Sequence, residues 1–405
     1  DWSAKKCSLG RKNSQSVGPL WWQASLPSGS QCGRAPHTWL GRPETLALGG
    51  GSGLEGQWLC GFKSLFVGTV ITFFPCERGN FCFYTLFCGR MKGMKSYNSL
   101  NDYYRKLFGE KTFKVPIDAG FDCPNRDGTV AHGGCTFCTV SGSGDAIVAP
   151  DAPIREQFYK EIDFMHRKWP DVRKYLVYFQ NFTNTHEKLE VIRERYEQAI
   201  NEPGVVGLNI GTRPDCLPDE TIAYLADLSE RMHVTVELGL QTTYEETSDL
   251  INRAHSYELY VETVQRVRKL APKAEIVSHL INGLPGETHE MMIENVRRCV
   301  TDNDIQGIKL HLLHLMTNTR MQRDYHEGRL QLLSQEEYVS IICDQLEIIP
   351  EHIVIHRITG DAPRDMLIGP MWSLNKWEVL NAIEAEMRRR GSKQGCKAKE
   401  QRFVC

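Results

Sequence analysis

Residues 205–240 read VVGLNIGTRPDCLPDETIAYLADLSERMHVTVELGL and contain the pattern that decides the fold. Two runs of β-branched and apolar residues, at 205–210 and 234–240, flank an amphipathic segment at 219–231. Pro218 stands directly before that segment and marks a helix boundary. A strand, a helix and a second strand in this order predict a βαβ unit with parallel strands.

The same alternation continues on both sides of this unit. Apolar runs lie at 113–117, 175–179, 275–281 and 307–313, and amphipathic segments lie at 154–168, 189–200, 259–270, 290–300 and 335–348. Six strand–helix repeats predict an α/β protein with a partial (β/α)6 TIM-like barrel, and a doubly wound open sheet is the alternative. In either fold the functional site lies at the carboxyl ends of the strands.

Composition excludes several classes of protein. The 405 residues carry a net charge of −2, with 41% hydrophobic and 24% charged residues. These ordinary globular values exclude a collagen, a disordered tail, a polytopic membrane protein and a generically basic nucleic-acid binder.

The first 90 residues differ from the rest of the chain. They hold six of the 14 cysteines and show no clear helical or strand period. A Cys-rich or membrane-targeting segment is one interpretation, but the uncharged apolar run at 64–76 is too short to span a bilayer. We therefore expect an unstructured or non-native extension at 1–93. A barrel core at 94–330, a C-terminal α/β extension at 331–395 that closes the barrel, and a tail at 396–405 complete the expected organisation.

A loop rich in cysteine follows the first run of the barrel core. Residues 118–138 read DAGFDCPNRDGTVAHGGCTFC, which spaces Cys123, Cys135 and Cys138 as C-x11-C-x2-C. A structural zinc ion or a closed iron–sulfur cluster usually takes four protein ligands. Three cysteines favour a 4Fe–4S cluster with one open iron. A zinc site that uses His132 and an incidental or redox CxxC remain alternatives.

With these residues the sequence resembles the radical S-adenosylmethionine (SAM) enzymes, and more narrowly their YtqA/YhcC-like subgroup, across about 95–395. Besides the three-Cys loop, the similar stretches are YFQNFTNTH at 178–186, GTRPDCL at 211–217, VELGLQTT at 236–243 and VIHRITGDAPRDMLIGPMWSLNKW at 354–377. The resemblance implies a cytoplasmic bacterial enzyme with a 4Fe–4S cluster on the three cysteines. It also implies that SAM is bound at the open iron, and that flavodoxin or ferredoxin donates the electron that cleaves SAM to a 5′-deoxyadenosyl radical.

Polar residues and turns after the strands are candidates for the site. Glu237 lies in an apolar strand, so its carboxylate needs a cationic partner, either the SAM ammonium or an internal ion pair. The expected catalytic residues are Glu237, Arg213 and Arg357. The residues expected to bind SAM are Gln241, Arg253, Glu237, Thr183, Asn184, His279, Gly283, Pro285 and Gly286. Each has a structural alternative, such as a helix cap, a salt bridge or a β–α turn.

Two further expectations concern histidines and metal ligands. His311 and His314 are three residues apart, so in a strand they would point to opposite faces. The other cysteines of the patterned region show no cluster spacing, and no auxiliary cluster is expected.

The resemblance also implies a substrate. The YtqA branch is associated with processing the carboxymethylaminomethyl group on the wobble uridine of tRNA, so tRNA is an expected partner. Arg357 and Arg364 are expected to pair with a substrate carboxylate or a tRNA phosphate. A tetrapyrrole or other small-molecule substrate and a non-enzymatic iron–sulfur or zinc module remain alternatives.

Overall fold

The computed structural model describes residues 95–140, 142 and 147–398, and the backbone of two earlier strands. The chain divides into two units, Asp1–Val67 and Gly68–Cys405, and every described residue belongs to the second. Strands β1 (Val70–Pro75) and β2 (Phe81–Leu86) pair antiparallel with each other. The rest of the expected extension at 1–93, and residues 399–405 of the tail, lie outside the described residues. The predicted domain boundaries stay predictions.

From β3 (Thr112–Ile117) to β8 (Gly307–Leu312), each strand of the barrel is followed by at least one helix before the next strand. The strands are β3 (Thr112–Ile117), β4 (Lys174–Phe179), β5 (Val205–Thr212), β6 (His233–Gln241), β7 (Glu275–Asn282), β8 (Gly307–Leu312), β9 (Leu315–Met316), β10 (Val354–Arg357) and β11 (Leu367–Gly369). The helices are α1 (Leu100–Phe108), α2 (Ile154–His166), α3 (Leu189–Ile200), α4 (Asp219–Ser229), α5 (Glu245–Leu250), α6 (Tyr257–Leu270), α7 (His289–Thr301), α8 (Arg320–His326), α9 (Gln335–Ile348) and α10 (Lys376–Arg390). Short 3₁₀ turns occupy Pro214–Cys216 and Met371–Leu374.

The main sheet has seven parallel strands in the order β10-β8-β7-β6-β5-β4-β3. The α/β fold predicted from the repeats is confirmed, with one difference in strand number. The apolar run at 353–355, assigned to the C-terminal extension, contributes β10, which pairs with β8 through Val354 and Gly307. β9 and β11 form a separate antiparallel pair.

The sheet curls around a central space instead of staying open. Side chains from β3, β6 and β8 meet there: Lys114 Nζ lies 2.7 Å and Lys309 Nζ 2.5 Å from the carboxylate of Glu237. The outermost strands are also bridged, because Ile355 on β10 donates its backbone N–H to Asn98 O at 2.8 Å, just before α1. The fold is therefore a partial TIM-like barrel, and the open-sheet alternative does not hold. We call the space inside the curl, lined by Lys114, Tyr178, Glu237, Lys309 and His311, the lumen.

Helix α1 covers the amino-terminal end of the lumen. Ser99 caps the helix by accepting a hydrogen bond from Asp102 N–H, and Gly109 ends it in the left-handed conformation. The buried ring of Tyr104 packs edge-on against His233 and His356, with centroids 5.8 and 6.5 Å apart. Entry to the lumen is consequently from the carboxyl ends of the strands.

Apolar residues pack in two separate places. The larger core lies between the outer face of the sheet and the helices, and includes Phe158, Tyr196, Ile210, Val236 and Ile308. A smaller one at the carboxyl ends, here the upper apolar cluster, consists of Ile251, Leu284, Leu313, Leu315, Met321 and Leu330, with Phe137 packed against it. Among the described residues, none of the helices has the length and apolarity needed to cross a membrane.

Candidate active site

The three cysteines predicted as ligands lie in one loop after β3. Cys123, Cys135 and Cys138 are free thiols, each partly exposed. The backbone N–H of Cys138 donates to Cys135 O at 3.1 Å, which forms the CxxC turn. A hydrogen bond from the Cys138 thiol lowers the pKa of Cys135 to about 7. Gly134, with φ +69°, supplies a left-handed residue that the turn requires.

The donor set fits an iron–sulfur cluster. Within the described ranges no group of three His, Cys, Asp or Glu side chains is already arranged around a single metal-ion position. In a 4Fe–4S cluster each thiolate binds a different iron, so the sulfurs need not converge. The positive charge of Arg213 favours the thiolates of Cys123 and Cys135, and Asn125 Nδ2 donates to Cys135 Sγ at 3.6 Å.

Backbone hydrogen bonds hold the loop against the segment after α5. Thr136 N–H donates to Ile251 O at 2.9 Å, and Asn252 Nδ2 donates to Gly134 O at 2.8 Å. The backbone N–H of Met321, on α8, donates to Thr136 O at 3.0 Å. The loop therefore docks at the carboxyl edge of the barrel. The spacing of the cysteines did not reveal this docking.

Arg253 organises this docking segment. The residue is fully buried. Its Nε and Nη2 donate to His255 O at 3.0 and 2.7 Å, while Nη1 donates to Leu240 O at 2.5 Å and to Thr242 O. Backbone carbonyls therefore occupy the guanidinium fork, and a contact of Arg253 with SAM stays a prediction.

Gln241 ends β6 in the left-handed region, with φ +63°. The register between β6 and β7 shifts between Gly239 and Gln241, which turns the chain out of the strand. Its amide donates to Gly239 O and Leu240 O at 3.2 and 3.1 Å. The side chain folds back on its own strand, and its contact with SAM stays a prediction.

Arg213 pairs with a neighbouring carboxylate, as the structural alternative held. Its Nε and Nη2 contact the two oxygens of Asp215 at 2.9 and 2.6 Å, and Nη1 donates to Arg253 O at 2.8 Å. Arg213 thereby places positive charge beside the cysteine loop, and its catalytic role stays a prediction.

The two residues expected from the loop after β4 differ in what they contact. The hydroxyl of Thr183 hydrogen-bonds to the Cys123 thiol, although burial still raises the pKa of that thiol overall. Asn184 Nδ2 donates to the carbonyls of Phe179, Asn181 and Gly211, at 2.8 to 3.1 Å. Thr183 therefore lies at the predicted metal site, whereas the amide of Asn184 ties β4 to β5.

The loop after β7 has glycines at positions where the backbone is left-handed. Gly283 has φ +89°, and a Cβ there would lie 3.2 Å from Leu333 Cδ1. Gly286 has φ +80° and is exposed, and Pro285 between them is half-buried. Thr288 caps α7 by accepting a hydrogen bond from Met291 N–H. Contact of this loop with the adenosyl group stays a prediction.

The lumen contains an ion network around Glu237, which is fully buried. Lys114 and Lys309 contact its two oxygens, and His279 Nε2 lies 3.2 Å from one of them. Lys309 also donates to the hydroxyl of Tyr178 at 3.1 Å. Burial alone would raise the pKa of Glu237, but attraction to the two lysines lowers it well below its usual range. The internal ion pair that was the structural alternative for Glu237 is thus present, and a contact of Glu237 with the SAM ammonium stays a prediction.

Sequence reasoning missed both lysines, although a signal for them was present. They alternate with apolar residues in β3 and β8, at positions that face away from the helices. Burial lowers the pKa of the His279 imidazole to about 4, so this residue is neutral. It lines the lumen, and a role toward SAM stays a prediction.

Arg357 and two histidines complete the lumen wall. A register shift between Ile355 and Arg357 on β10 places Arg357 opposite Lys309 of β8. Arg357 is half-buried, and no described residue forms a hydrogen bond or ion pair with it. His311 lies with its ring 5.4 Å from that of His279. Arg364 is exposed and likewise has no ion-pair partner among the described residues.

His314 lies beyond the strand in which its direction was expected. β8 ends at Leu312, so the alternation of a strand does not extend to His314. Its ring packs against Gly360, where a Cβ would lie 2.6 Å from Cε1. The expectation that His311 and His314 point to opposite faces of a strand therefore does not apply to His314.

A partial parallel barrel with three free cysteines in the loop after its first strand defines a radical SAM protein. The chain matches the profile of the Radical SAM superfamily over residues 127–299 and that of the Radical_SAM C-terminal domain over 305–389. It is 54% identical over 301 residues to Uncharacterized protein YtqA of Bacillus subtilis (strain 168), covering 74% of this chain and 92% of that protein. The chain therefore belongs to the radical SAM superfamily and is an enzyme, and the predicted family is confirmed. Members of this superfamily use a 4Fe–4S cluster and SAM.

Two more distant similarities extend this result. The chain is 27% identical over 188 residues to a tRNA uridine(34) acetyltransferase of Methanocaldococcus infernus, covering 45% of this chain and 34% of that protein. The solved structure of M. infernus Elp3 with an N-terminal deletion aligns with a TM-score of 0.53 at 17% identity, covering 70% of this chain and 64% of that one. The structural similarity shows a shared fold.

Proposed function

We propose that Cys123, Cys135 and Cys138 hold the 4Fe–4S cluster and that the enzyme modifies the wobble uridine of tRNA. The reaction would process a carboxymethylaminomethyl group toward the aminomethyl or methylaminomethyl form. The observation that carries the proposal is the placement of three free thiols at the carboxyl edge of a barrel whose lumen is polar and positively charged. The relative named for tRNA uridine(34) supports this substrate class.

When bound and reduced, the cluster supplies the electron that cleaves SAM and so generates a radical able to abstract hydrogen. The chain's own residues position and shield these groups. Phe137 seats the loop on the upper apolar cluster, and Arg253 keeps the supporting segment in place. Helix α1 closes the opposite end of the lumen, which keeps bulk water from that side.

The substrate would approach from the open, carboxyl end. An unpaired base in an anticodon loop is accessible and can leave its stack. Arg364 is exposed and lies in the same C-terminal stretch as Arg357, so it is available to a tRNA phosphate. Residues 91–405 carry more acidic than basic residues, which favours such local contacts over strong non-specific tRNA binding. A flavodoxin or ferredoxin in the cytoplasm would supply the electron.

The test is anaerobic reconstitution followed by an assay for 5′-deoxyadenosine. Cys123→Ala, Cys135→Ala and Cys138→Ala should each lose the broad visible absorption of the cluster and SAM cleavage. Cys396→Ala, which removes an exposed thiol far along the chain, is the matched control and should retain both. About four irons per chain in any of the three loop variants would contradict the ligand assignment. One zinc would favour the structural alternative.

A second assay addresses the substrate. Reconstituted enzyme is incubated with tRNA that carries the carboxymethylaminomethyl group, and its nucleosides are analysed by mass spectrometry. Turnover of the wobble nucleoside is expected, and porphyrinogens should be inert. Turnover of a porphyrinogen without any change in tRNA would replace the substrate assignment and leave the radical SAM assignment in place.

A further inference from the structure

The lumen carries more positive than negative charge within the part of the chain that the structure describes. Lys114, Lys309 and Arg357 face it, and Glu237 is the carboxylate between the two lysines. A buried or half-buried charge is stable when it is paired. Arg357 lacks such a partner among the described residues.

Two further carboxylates near the lumen pair with residues other than Arg357. Glu275, at the amino-terminal end of β7, accepts a hydrogen bond from the hydroxyl of Tyr103 on α1. Asp361 ion-pairs with Lys376 of α10 at 2.7 Å. Neither carboxylate pairs with the guanidinium of Arg357.

The strand register concentrates this charge on one side of the lumen. The shift in β10 aligns the Cα of Arg357 with that of Lys309 on the adjacent strand. Like charges on directly opposed positions of neighbouring strands repel one another. Glu237 contacts Lys309 and leaves Arg357 with an uncompensated charge that an anion would balance.

Neutral histidines that can donate hydrogen bonds lie near Arg357. His311 lies two residues along β8 from Lys309, and burial together with nearby cations lowers its pKa well below the usual range. No described residue hydrogen-bonds to its ring. Burial likewise lowers the pKa of His314 to about 4. Neutral imidazoles add N–H donors without adding charge.

We propose that the lumen contains a carboxylate-binding subsite in which Arg357 forms the charged contact and His311 supplies a neutral donor. This rests on the proposed function and specifies which group of the substrate enters the barrel. The planar fork of arginine matches a carboxylate. Arg357 lies beside the middle of β8, below the edge where the cysteine loop docks. The carboxylate therefore belongs to the substrate side chain that reaches into the barrel, and the carboxylate of SAM is the other possible source.

The first arm of the test uses acetate, a probe that does not depend on the identity of the substrate. Line broadening of [1-¹³C]acetate is measured by NMR with reconstituted enzyme. The wild type and Arg231→Gln, a control at an exposed arginine, should broaden the line, and Arg357→Gln should not. Arg357→Lys retains the charge and should restore part of the effect, which separates binding from misfolding. Equal broadening by wild type and Arg357→Gln, or none by wild type, would overturn the subsite.

The second arm identifies the source of the carboxylate. Binding of 5-carboxymethylaminomethyluridine and of its methyl ester is compared by equilibrium dialysis. The wild type should prefer the acid by roughly 10- to 100-fold, and Arg357→Gln should lose this preference. The affinity of Arg357→Gln for SAM should differ less than about twofold from that of the wild type. A tenfold difference would correspond to a lost contact with SAM. A tenfold loss of SAM affinity would assign the carboxylate to SAM. If acetate binds through Arg357 but neither nucleoside binds, the proposed subsite is supported and the proposed tRNA substrate is contradicted.

Discussion

Replacing Glu237 with Gln removes the one negative charge between Lys114 and Lys309, which contact it at 2.7 and 2.5 Å. Removing one partner of a buried ion pair typically costs ~3–5 kcal/mol, because the other charge remains buried and unpaired. The penalty cannot exceed the cost of deprotonating one lysine, because deprotonation would remove the unpaired charge. Neutralising one lysine at pH 7 costs about 4.6 kcal/mol, since pH 7 lies about 3.4 units below its reference pKa. We therefore expect Glu237→Gln to lower the free energy of unfolding by about 3–5 kcal/mol.

The loss should depend on pH with a definite sign. Burial lowers the pKa of Lys309 to about 7 even with Glu237 beside it, so above pH 7 the folded wild type and the folded variant both lack this proton. The unfolded state then binds more protons in both proteins, so the stability of each rises with pH toward the reference pKa of lysine and the penalty stays nearly constant. The penalty should shrink instead as the pH falls, because only the wild type has a carboxylate to lose. In the wild type the depressed pKa of Glu237 gives stability above its unfolded pKa, and this stability is lost as the pH falls below it.

Urea unfolding monitored by circular dichroism at pH 7 and pH 4 measures both effects. Glu351→Gln removes an exposed carboxylate that pairs with Lys393, and as a matched control it should show no comparable loss. Adding Lys309→Met to Glu237→Gln should recover much of the stability, because the unpaired ammonium is gone. A Glu237→Gln penalty below 1 kcal/mol, or one that is the same at both pH values, would refute the reasoning.

Three other predictions are open to simple measurements. A chain beginning at Met94 should fold and incorporate iron as well as the full-length chain, and insolubility or loss of iron would place residues 1–93 within the fold. Gly283→Ala should destabilise the protein by ~1–3 kcal/mol in the same urea assay, because its φ is +89° and Leu333 is close, while the exposed Gly328→Ala, with open space around it, gives the cost of the φ angle alone. Arg253→Lys should reduce iron content after reconstitution, since an ammonium cannot replace the guanidinium on three carbonyls, and full iron content would show that the docking segment holds without it.

The strands were predictable because their signal is local. Each run of β-branched and apolar residues needs only its own neighbours to be recognised, and the helix bounds at Leu189–Ile200 and Gln335–Ile348 match the sequence pattern at both ends. The three cysteines were predictable for the same reason, since their spacing lies within one loop.

The partners of Glu237 are non-local. Lys114 and Lys309 lie 123 and 72 residues away in sequence, and only the curl of the sheet brings them together. Arg253 shows a different limit of prediction from sequence. The spacing between Gln241 and Arg253 gives their distance along the chain, but it does not give the direction in which the Arg253 side chain points. Strand alternation could not predict the direction of His314, because β8 ends at Leu312 and His314 lies beyond it.

The bridge between the outermost strands has a consequence for how the barrel is assembled. The segment before α1 is joined to α10 and to the chain that follows it: Ser96 Oγ donates to Glu384 Oε2 at 3.0 Å, and Asn98 N–H donates to Gln394 Oε1 at 2.7 Å. These contacts span 288 and 296 residues, so they close late in a chain made from the amino end. During synthesis Asn98 therefore lacks this partner until Gln394 has left the ribosome. The same closeness makes residues 95 and 398 natural points to join in a circular permutant, whose new ends could then be placed in an exposed helix connection.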